Sequence, residues 1–241
     1  MIMTEWLNGL KSMQLLKRYK EEVAKQMNLN NITVNTQSSI RIEGSVTLYF
    51  DPFEVESENH DADVIFITHE HHDHFEPDSI TKVKKESTIL VAPKSMKDKV
   101  ISESGIASEK CIFLEPGEKH ELGDILIETV PAYNKMKPFH TKGKNWIGYI
   151  VKMDDVCYYV AGDTDVNDDI KKVQCDVALI PIGGHFTMDR KQAADYIAAL
   201  KPKAVIPTHY GSIIGNKSDG QEFMKALELM VNEIQVELKL P

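Results

Sequence analysis

The sequence predicts an α/β fold in which two β-sheets lie between outer helices. Strand-like and helical segments alternate along most of the chain. Residues 62–68 (ADVIFIT) form a continuous apolar run, which is typical of a strand covered on both faces. The strand-like segments cluster early and in the middle of the chain, with helical segments between them. This distribution indicates two sheets with helices outside.

An amphipathic helix is predicted over residues 5–27, because apolar side chains recur there at spacings of three or four. These side chains are Trp6, Leu10, Met13, Leu16, Tyr19, Val23 and Met27. We expect this helix, within residues 1–31, to pack on the domain formed by residues 32–241. The alternative is a helix that binds a partner or covers a site. It could also serve contacts between copies of the chain, which leaves a homo-oligomer open.

The remaining elements follow from apolar runs, helical spacing and turn residues. The segments SIRIEG and SVTLYF meet at Glu43-Gly44-Ser45, a short Gly-containing turn that predicts a hairpin. Helices are predicted near 77–84 and over 93–104, 189–200 and 220–232. Further strands are predicted at 88–91, 111–114, 176–181, 203–207 and 235–239, and in the segments DILIETVPA, WIGYIVKM and VCYYVAGDT.

The charge balance disfavours an extended nucleic-acid partner. The 241 residues carry a formal net charge of -9, whereas nucleic-acid binders usually present a basic face that neutralises phosphates. The lysines are scattered, and the densest cluster, KVKK at 82–85, is short. We therefore expect a small-molecule substrate rather than a nucleic acid.

The cysteines and the first residues predict a cytoplasmic protein. Cys111, Cys157 and Cys175 are widely spaced and form no C-x-x-C pair, which is typical of small buried side chains in a reducing compartment. The opening segment MIMTEWLNGLKS lacks the uninterrupted apolar core of a signal peptide. No run in the sequence approaches the length of a membrane span.

A cluster of histidines follows the apolar run at once. Residues 69–74 read His-Glu-His-His-Asp-His, and imidazole nitrogens and carboxylate oxygens are natural ligands of divalent metal ions. His69 and His71 are two residues apart near a strand end, so their side chains point the same way. Asp73 and His74 follow in a turn and can reach a neighbouring point. The alternative is a solvated histidine-rich loop, which this spacing after a buried strand disfavours.

Two further polar residues lie just past predicted strands. Asp163 ends the segment VAGDT and His209 lies in VIPTHYG, and open sheets commonly build sites at the carboxyl ends of strands. Taken alone, Asp163 would be a turn or helix-capping residue and His209 a structural one. Together with the histidine cluster, each becomes a candidate ligand. Asp163 could bridge two ions, because a carboxylate has two oxygens.

These motifs, in this order, resemble those of the metallo-β-lactamase superfamily. The resemblance runs from about residue 37 to the C-terminus and is carried by H-x-H-x-D-H at 69–74, DPF at 51–53, GDTD at 162–165, PIGGHFTM at 181–188 and IPTHYG at 206–211. They are most similar to the branch that includes ascorbate-6-phosphate lactonase, N-acylphosphatidylethanolamine phospholipase D and uncharacterised metal-dependent hydrolases. The resemblance implies a four-layer αββα sandwich, to which the N-terminal helix would be an addition.

The resemblance also implies a set of metal ligands. His69 and His71 would bind a first ion, Asp73, His74 and His209 would bind a second, and Asp163 would lie between them. The family usually supplies a third histidine to the first ion at the end of the strand IETVPAYN, where this chain has Asn134. His140 could substitute for it, Asn134 could coordinate weakly or through water, or the first site could be labile or empty.

His185 is the remaining candidate. It follows a predicted strand and the pair Gly183 and Gly184, which allow a backbone to come close to a ligand. The resemblance favours a site-lining role for His185. The alternative is an ordinary loop residue that leads into a helix capped by Thr187.

The expected chemistry is hydrolysis by a metal-activated water, because a bound dication lowers the pKa of its water to about 7. Asp73 would orient the water or collect its proton, and His185 or a metal-bound water would protonate the leaving group. One or two ions are expected, with zinc first and manganese, iron or nickel as alternatives. The leading substrate is an ester, lactone or related bond in a small or lipid-like molecule. A phosphodiesterase or nuclease, and a metal-binding protein without turnover, are the alternatives.

Overall fold

The computed structural model describes residues 26–240, and strands make up most of its regular structure. The strands are β1 (Ile32–Val34), β2 (Ile40–Glu43), β3 (Thr47–Phe50), β4 (Ala62–Phe66), β5 (Lys84–Pro93), β6 (Cys111–Leu114), β7 (Lys119–Leu122), β8 (Ile125–Pro131), β9 (Ile147–Met153), β10 (Val156–Val160), β11 (Val177–Pro181), β12 (Ala204–Thr208) and β13 (Gln235–Val236). The helix predicted over residues 5–27 falls outside the described residues. Its packing, and the division at residue 31, stay predictions.

The helices of the described residues are short. They are α1 (Pro77–Val83), α2 (Lys97–Glu103), α3 (Arg190–Leu200) and α4 (Asp219–Glu228), with 3₁₀ turns at Lys94–Met96, Ser108–Lys110, Lys142–Lys144 and Ile170–Lys172. Within residues 26–240, none of the helices combines the length and the apolar character that crossing a membrane requires.

Two sheets contain all these strands. The first has the order β1-β2-β3-β4-β5-β6, and the second has the order β13-β12-β11-β10-β9-β8-β7. In the first, β1 to β3 are antiparallel and β3 to β6 are parallel. The predicted hairpin is confirmed, since Ile40 pairs with Phe50 and Glu43 with Thr47. In the second sheet, β7 to β10 are antiparallel and β10 to β13 are parallel.

Aromatic side chains pack the two sheets against each other. The rings of Phe50 and Phe66 in the first sheet are stacked, with centroids 4.6 Å apart. Tyr149 on β9 of the second sheet lies 5.0 Å from the Phe66 ring, and its hydroxyl donates to the carbonyl of Ile67 at 2.7 Å. Burial of such side chains is the main favourable term in folding. The interface therefore fixes β3 and β4 over β9.

The helices cover the outer faces and complete four layers. Ile80 and Val83 of α1 and Val100 of α2 form one apolar cluster with Ile65 and Leu90 of the first sheet. Ala193 and Ile197 of α3, with Phe223 and Leu227 of α4, join the main core beside β11 and β12. The predicted αββα sandwich is confirmed for the described residues.

Some elements differ from the prediction. The strands β1 and β7 were not predicted, because each has three or four residues and β7 (KHEL) alternates with exposed polar side chains. The last helix ends at Glu228 instead of 232, and the final strand has only two residues. Short edge strands carry little periodic signal, since neighbouring strands supply most of their stabilisation.

Gly148 lies where β9 and the end of β10 come close together, and a substitution there tests this close packing. A Cβ at this position would lie 2.6 Å from the carbonyl oxygen of Ala161 and 2.8 Å from that of Val160. We expect Gly148→Ala to lower the free energy of unfolding by about 1–3 kcal/mol, as overpacking typically does. Gly143→Ala, where a Cβ would meet nothing within 4 Å, should change it by less than about 0.5 kcal/mol. Urea unfolding of both variants makes the comparison, and equal effects would contradict it.

Candidate metal centre

Four chain segments bring histidines and carboxylates together at one edge of the sandwich. The loop after β4 carries His69, His71, Asp73 and His74, and Asp163 follows β10. Two further histidines come from elsewhere: His209 directly follows β12, and His140 lies in the loop between β8 and β9. Strand ends thus hold all of these side chains except His140.

The first group of ligand atoms belongs to His69, His71 and His140, and two of these residues lie near one oxygen of Asp163. Nε2 of His69 lies 3.1 Å from Nδ1 of His71. Nε2 of His140 lies 3.2 Å from Oδ2 of Asp163, and Nε2 of His69 lies 4.0 Å from the same oxygen. The ligand atoms of the three histidines lie within 4.8 Å of one another.

The second group surrounds the other oxygen of Asp163. Nε2 of His74 and Nε2 of His209 are 3.2 Å apart, and each lies 3.3 Å from Oδ1 of Asp163. Oδ2 of Asp73 lies 3.1 Å from Nε2 of His209 and 3.5 Å from that of His74. Asp163 therefore offers one oxygen to each group.

The electrostatics favour an ionised Asp163 inside the protein. Only 4% of this residue is exposed, and burial alone would raise its pKa. His209 and His74 nevertheless hold the pKa of Asp163 well below its ordinary value. Burial would likewise lower the pKa of His74, but Asp163 and Asp51 hold that pKa well above the ordinary histidine value. Burial and the neighbouring His74 keep the pKa of His69 well below it.

The unpaired atoms of the cluster fit divalent cations. Nε2 of His140 and Oδ1 of Asp163 are buried and have no hydrogen-bond partner among the described residues. Pairs of imidazole nitrogens face each other at 3.1 Å and 3.2 Å, an arrangement that leaves buried lone pairs uncompensated unless a proton or a cation lies between them. Imidazole nitrogens and carboxylate oxygens, grouped in this way, are the donor set of zinc and similar ions.

The chain is similar to known proteins along most of its length. Residues 31–209 match the family model described as the beta-lactamase superfamily domain. A protein of Thermococcus onnurineus called UPF0173 metal-dependent hydrolase is 33% identical over 201 residues, which cover 78% of this chain and 88% of the relative. A protein of the same description from Pyrococcus horikoshii is 34% identical and covers 83% of this chain and 94% of the relative.

The chain belongs to the metallo-β-lactamase superfamily and is a metal-dependent hydrolase. A crystal structure from Parabacteroides distasonis, described as a metal-dependent hydrolase, superposes with a TM-score of 0.74 at 30% identity. The superposition covers 87% of this hydrolase and 93% of that chain.

Buried hydrogen bonds behind the cluster fix which nitrogen faces it. Nδ1 of His74 lies 2.7 Å from Oδ2 of Asp51 and donates to it, so Nε2 is the nitrogen that faces the cluster. The hydroxyl of Thr68 donates to the same carboxylate at 2.6 Å and must accept from Nδ1 of His69 at 3.0 Å. Such partners orient metal-binding histidines. Asp51 is part of the DPF motif, but the sequence analysis assigned it no role. The signal that could have identified it is its position as a carboxylate directly after an apolar strand.

The side-chain amide of Asn134 binds the segment that precedes α3. Its Nδ2 donates to the carbonyl of Phe186 at 2.6 Å, while its Oδ1 is buried and has no hydrogen-bond partner among the described residues. The place beside His69 and His71 is taken by His140, whose ring also packs 5.2 Å from the buried ring of Trp146. Of the three alternatives that the sequence left open, this geometry favours substitution by His140.

His185 lies outside the ligand groups, at the exposed rim. Its ring centroid is 4.5 Å from that of Phe186 and 6.1 Å from that of Phe139. The preceding Gly183 lies against the backbone of His209, since a Cβ there would meet the carbonyl oxygen of His209 at 2.3 Å. Thr187 does not cap the following helix.

The cap of α3 is Asp189, whose carboxylate accepts from the backbone amides of Lys191 and Gln192. The helix cap that the alternative for His185 gave to Thr187 was therefore wrong, since Asp189, two residues later, forms a full capping box.

A groove on another part of the molecule is separate from this chemistry. It has a volume of about 850 Å³ and is lined by residues of β7 to β10, among them Leu126, Ile150 and Cys157. None of the candidate site residues lines it.

Asp51 offers a test of the support behind His74. Asp51→Asn removes the charge and one of two acceptor oxygens, so we expect the metal affinity of the hydrolase to fall about 10- to 100-fold. Asp63→Asn, which alters a surface carboxylate paired with Lys85, should leave the affinity unchanged. Competition with a chelator measures both variants. Unchanged affinity in Asp51→Asn would remove its assigned role.

Proposed function

We propose that this hydrolase holds two divalent ions and cleaves an ester or lactone bond of a small, apolar or lipid-like substrate. The observation that carries the proposal is the pair of ligand groups that share the carboxylate of Asp163. Bridged pairs of ions at hydrolytic sites act together on the attacked bond. A closed structural site with four protein ligands would not need the half-exposed arrangement of His71 and Asp73.

The proposed ligands divide between the two groups. The first ion would be held by His69, His71, His140 and Asp163, and the second by Asp73, His74, His209 and Asp163. We propose zinc, because nitrogen and oxygen donors suit it; manganese, iron and nickel accept the same donors. When bound, such ions supply an acidified water and polarise a carbonyl oxygen.

Asp73 is the proposed residue for orienting the attacking water. Its Oδ2 faces His209 and His74, while hydrogen bonds from those rings outweigh burial and lower its pKa. It is therefore ionised at neutral pH. Asp73 is also the less buried carboxylate of the cluster, with 19% of its side chain exposed against 3% for Asp163. Its free oxygen can accept a hydrogen bond from a water that enters from solvent.

His185 is the proposed proton donor to the leaving group. It is exposed at the rim and lies against Phe186, whose ring is 6.2 Å from that of His140. A leaving alkoxide is a strong base and needs a proton, which an exposed imidazole can give and then regain from solvent.

The side chains of the loop between β8 and β9 favour an uncharged substrate over a phosphodiester. Its lysines each face a carboxylate of the protein, in the pairs Lys135–Asp168, Lys137–Asp165, Lys142–Asp169 and Lys144–Glu70. Cations that are already paired attract a phosphate less than free ones. Apolar side chains on the same loop are instead open to solvent, with Met136 93% exposed and Phe139 44% exposed. This surface suits an acyl chain or a ring better than a phosphodiester.

The proposal is tested by metal analysis and a substrate panel. We expect two ions per chain, and turnover of p-nitrophenyl esters and lactones with little turnover of bis-p-nitrophenyl phosphate. Cleavage of the diester alone would assign a phosphodiesterase. Two ions with no turnover of any panel member would point to a metal-binding protein.

His185 is tested by the choice of leaving group. A proton donor matters for a basic alkoxide and hardly at all for p-nitrophenolate, which leaves unprotonated. We expect His185→Asn to slow hydrolysis of alkyl esters about 100-fold while p-nitrophenyl esters stay within about twofold. His120→Asn, on β7 in the separate groove, is the matched control. Equal slowing of both ester classes would rule out His185 as the acid.

A further inference from the structure

His140 is the one proposed ligand that no strand end holds. It has a left-handed backbone with φ of 53°, which is uncommon for a residue other than glycine and is kept only when its surroundings impose it. Its carbonyl accepts from the backbone amide of Asn134 at 2.7 Å. This hydrogen bond closes the segment 134–140, which we call the ligand loop.

Asn134 fastens the base of the ligand loop. Its side-chain amide donates to the carbonyl of Phe186 at 2.6 Å, and its backbone amide holds His140. Asn134 thus ties the ligand loop to the segment that precedes α3. Asn134, which stands where the family usually has a histidine ligand, holds His140, the histidine that replaces it, through its backbone amide.

Lys137, midway along the ligand loop, anchors its tip. Its ammonium donates to Oδ1 of Asp165 at 2.5 Å and to the carbonyls of Gly184 at 2.9 Å and Thr187 at 2.5 Å. Three oxygens match the three donors of an ammonium group. Asp165 lies two residues after Asp163, so the same turn supplies a carboxylate to the metal cluster and an anchor to the ligand loop.

The other lysines nearby lack this arrangement. Lys135 faces only Asp168, and the side chain of that carboxylate is 72% exposed. Exposed pairs of this kind contribute little to stability. The side chain of Lys137 is only 26% exposed and that of Asp165 only 11%, so solvent screens this contact much less.

We infer that Lys137 is a positioning residue that keeps His140 at the first metal site, so that affinity for the first ion depends on closure of the ligand loop. The inference rests on the proposed function, which makes His140 a ligand. The second site takes all its ligands from the ends of β4, β10 and β12. Opening of the ligand loop should therefore weaken the first site and spare the second.

The test is stepwise removal of metal from the loaded protein. Wild type and variants are dialysed against rising concentrations of a chelator, and metal per chain is measured. Lys137→Met keeps the aliphatic stem and removes the charge. We expect it to lose its first ion at about tenfold lower chelator than wild type, with the second ion lost as in wild type. Lys135→Met, on the same loop, should lose both ions at the same chelator concentrations as wild type.

Other variants separate the possible failures. His140→Ala should hold one ion whose removal matches the second step of wild type; two ions retained in this variant would overturn the proposed first site itself. If His140→Ala behaves as expected but Lys137→Met shifts neither step, or both equally, the role of Lys137 is wrong. Asp165→Asn weakens the same anchor from its acceptor side and should shift the same step. Thermal unfolding of each variant checks that the protein is folded.

Discussion

The buried carboxylate of Asp163 is the constraint around which the site is built. An ionised group at this depth is costly unless opposite charges surround it. Its two oxygens face two groups of imidazoles at 3.2–3.3 Å, and these imidazoles or the cations they hold balance its charge. The preceding Gly162, with φ of 63°, lies so close to Thr68 that a side chain there would be crowded. This tight turn places Asp163 beside the loop after β4.

Sheet topology explains how distant segments meet there. The histidine loop leaves β4 of the first sheet, while Asp163 and His209 leave β10 and β12 of the second. Packing of Phe50 and Phe66 against Tyr149 sets the two sheets face to face, and the hydrogen bond from the amide of His209 to the carbonyl of Gln37 joins their edges. The core thus determines the position of groups that belong to different sheets.

The sequence predicted the sandwich and most of the cluster, because buried strands and strand-end ligands leave local signals. H-x-H-x-D-H after an apolar run is one such signal. The position of His140 leaves no local signal in the sequence, because it depends on contacts of Asn134 and Lys137 with segments some 50 residues away. The sequence could therefore only leave alternatives open. The role of Asp51 likewise depends on partners that lie 17 and 23 residues further along the chain, Thr68 and His74. The cytoplasmic location and the oligomeric state stay predictions.

Anomalous X-ray diffraction from crystals of the metal-loaded protein, recorded at the absorption edge of the metal, tests the shared carboxylate most directly. The account predicts two peaks about 3.5–4 Å apart, as in other two-metal sites. Asp163 should lie between them and the ring of His140 should contact the one nearer His69 and His71. A single peak, or two peaks with His140 turned to solvent or Asp163 bound to only one, would contradict it.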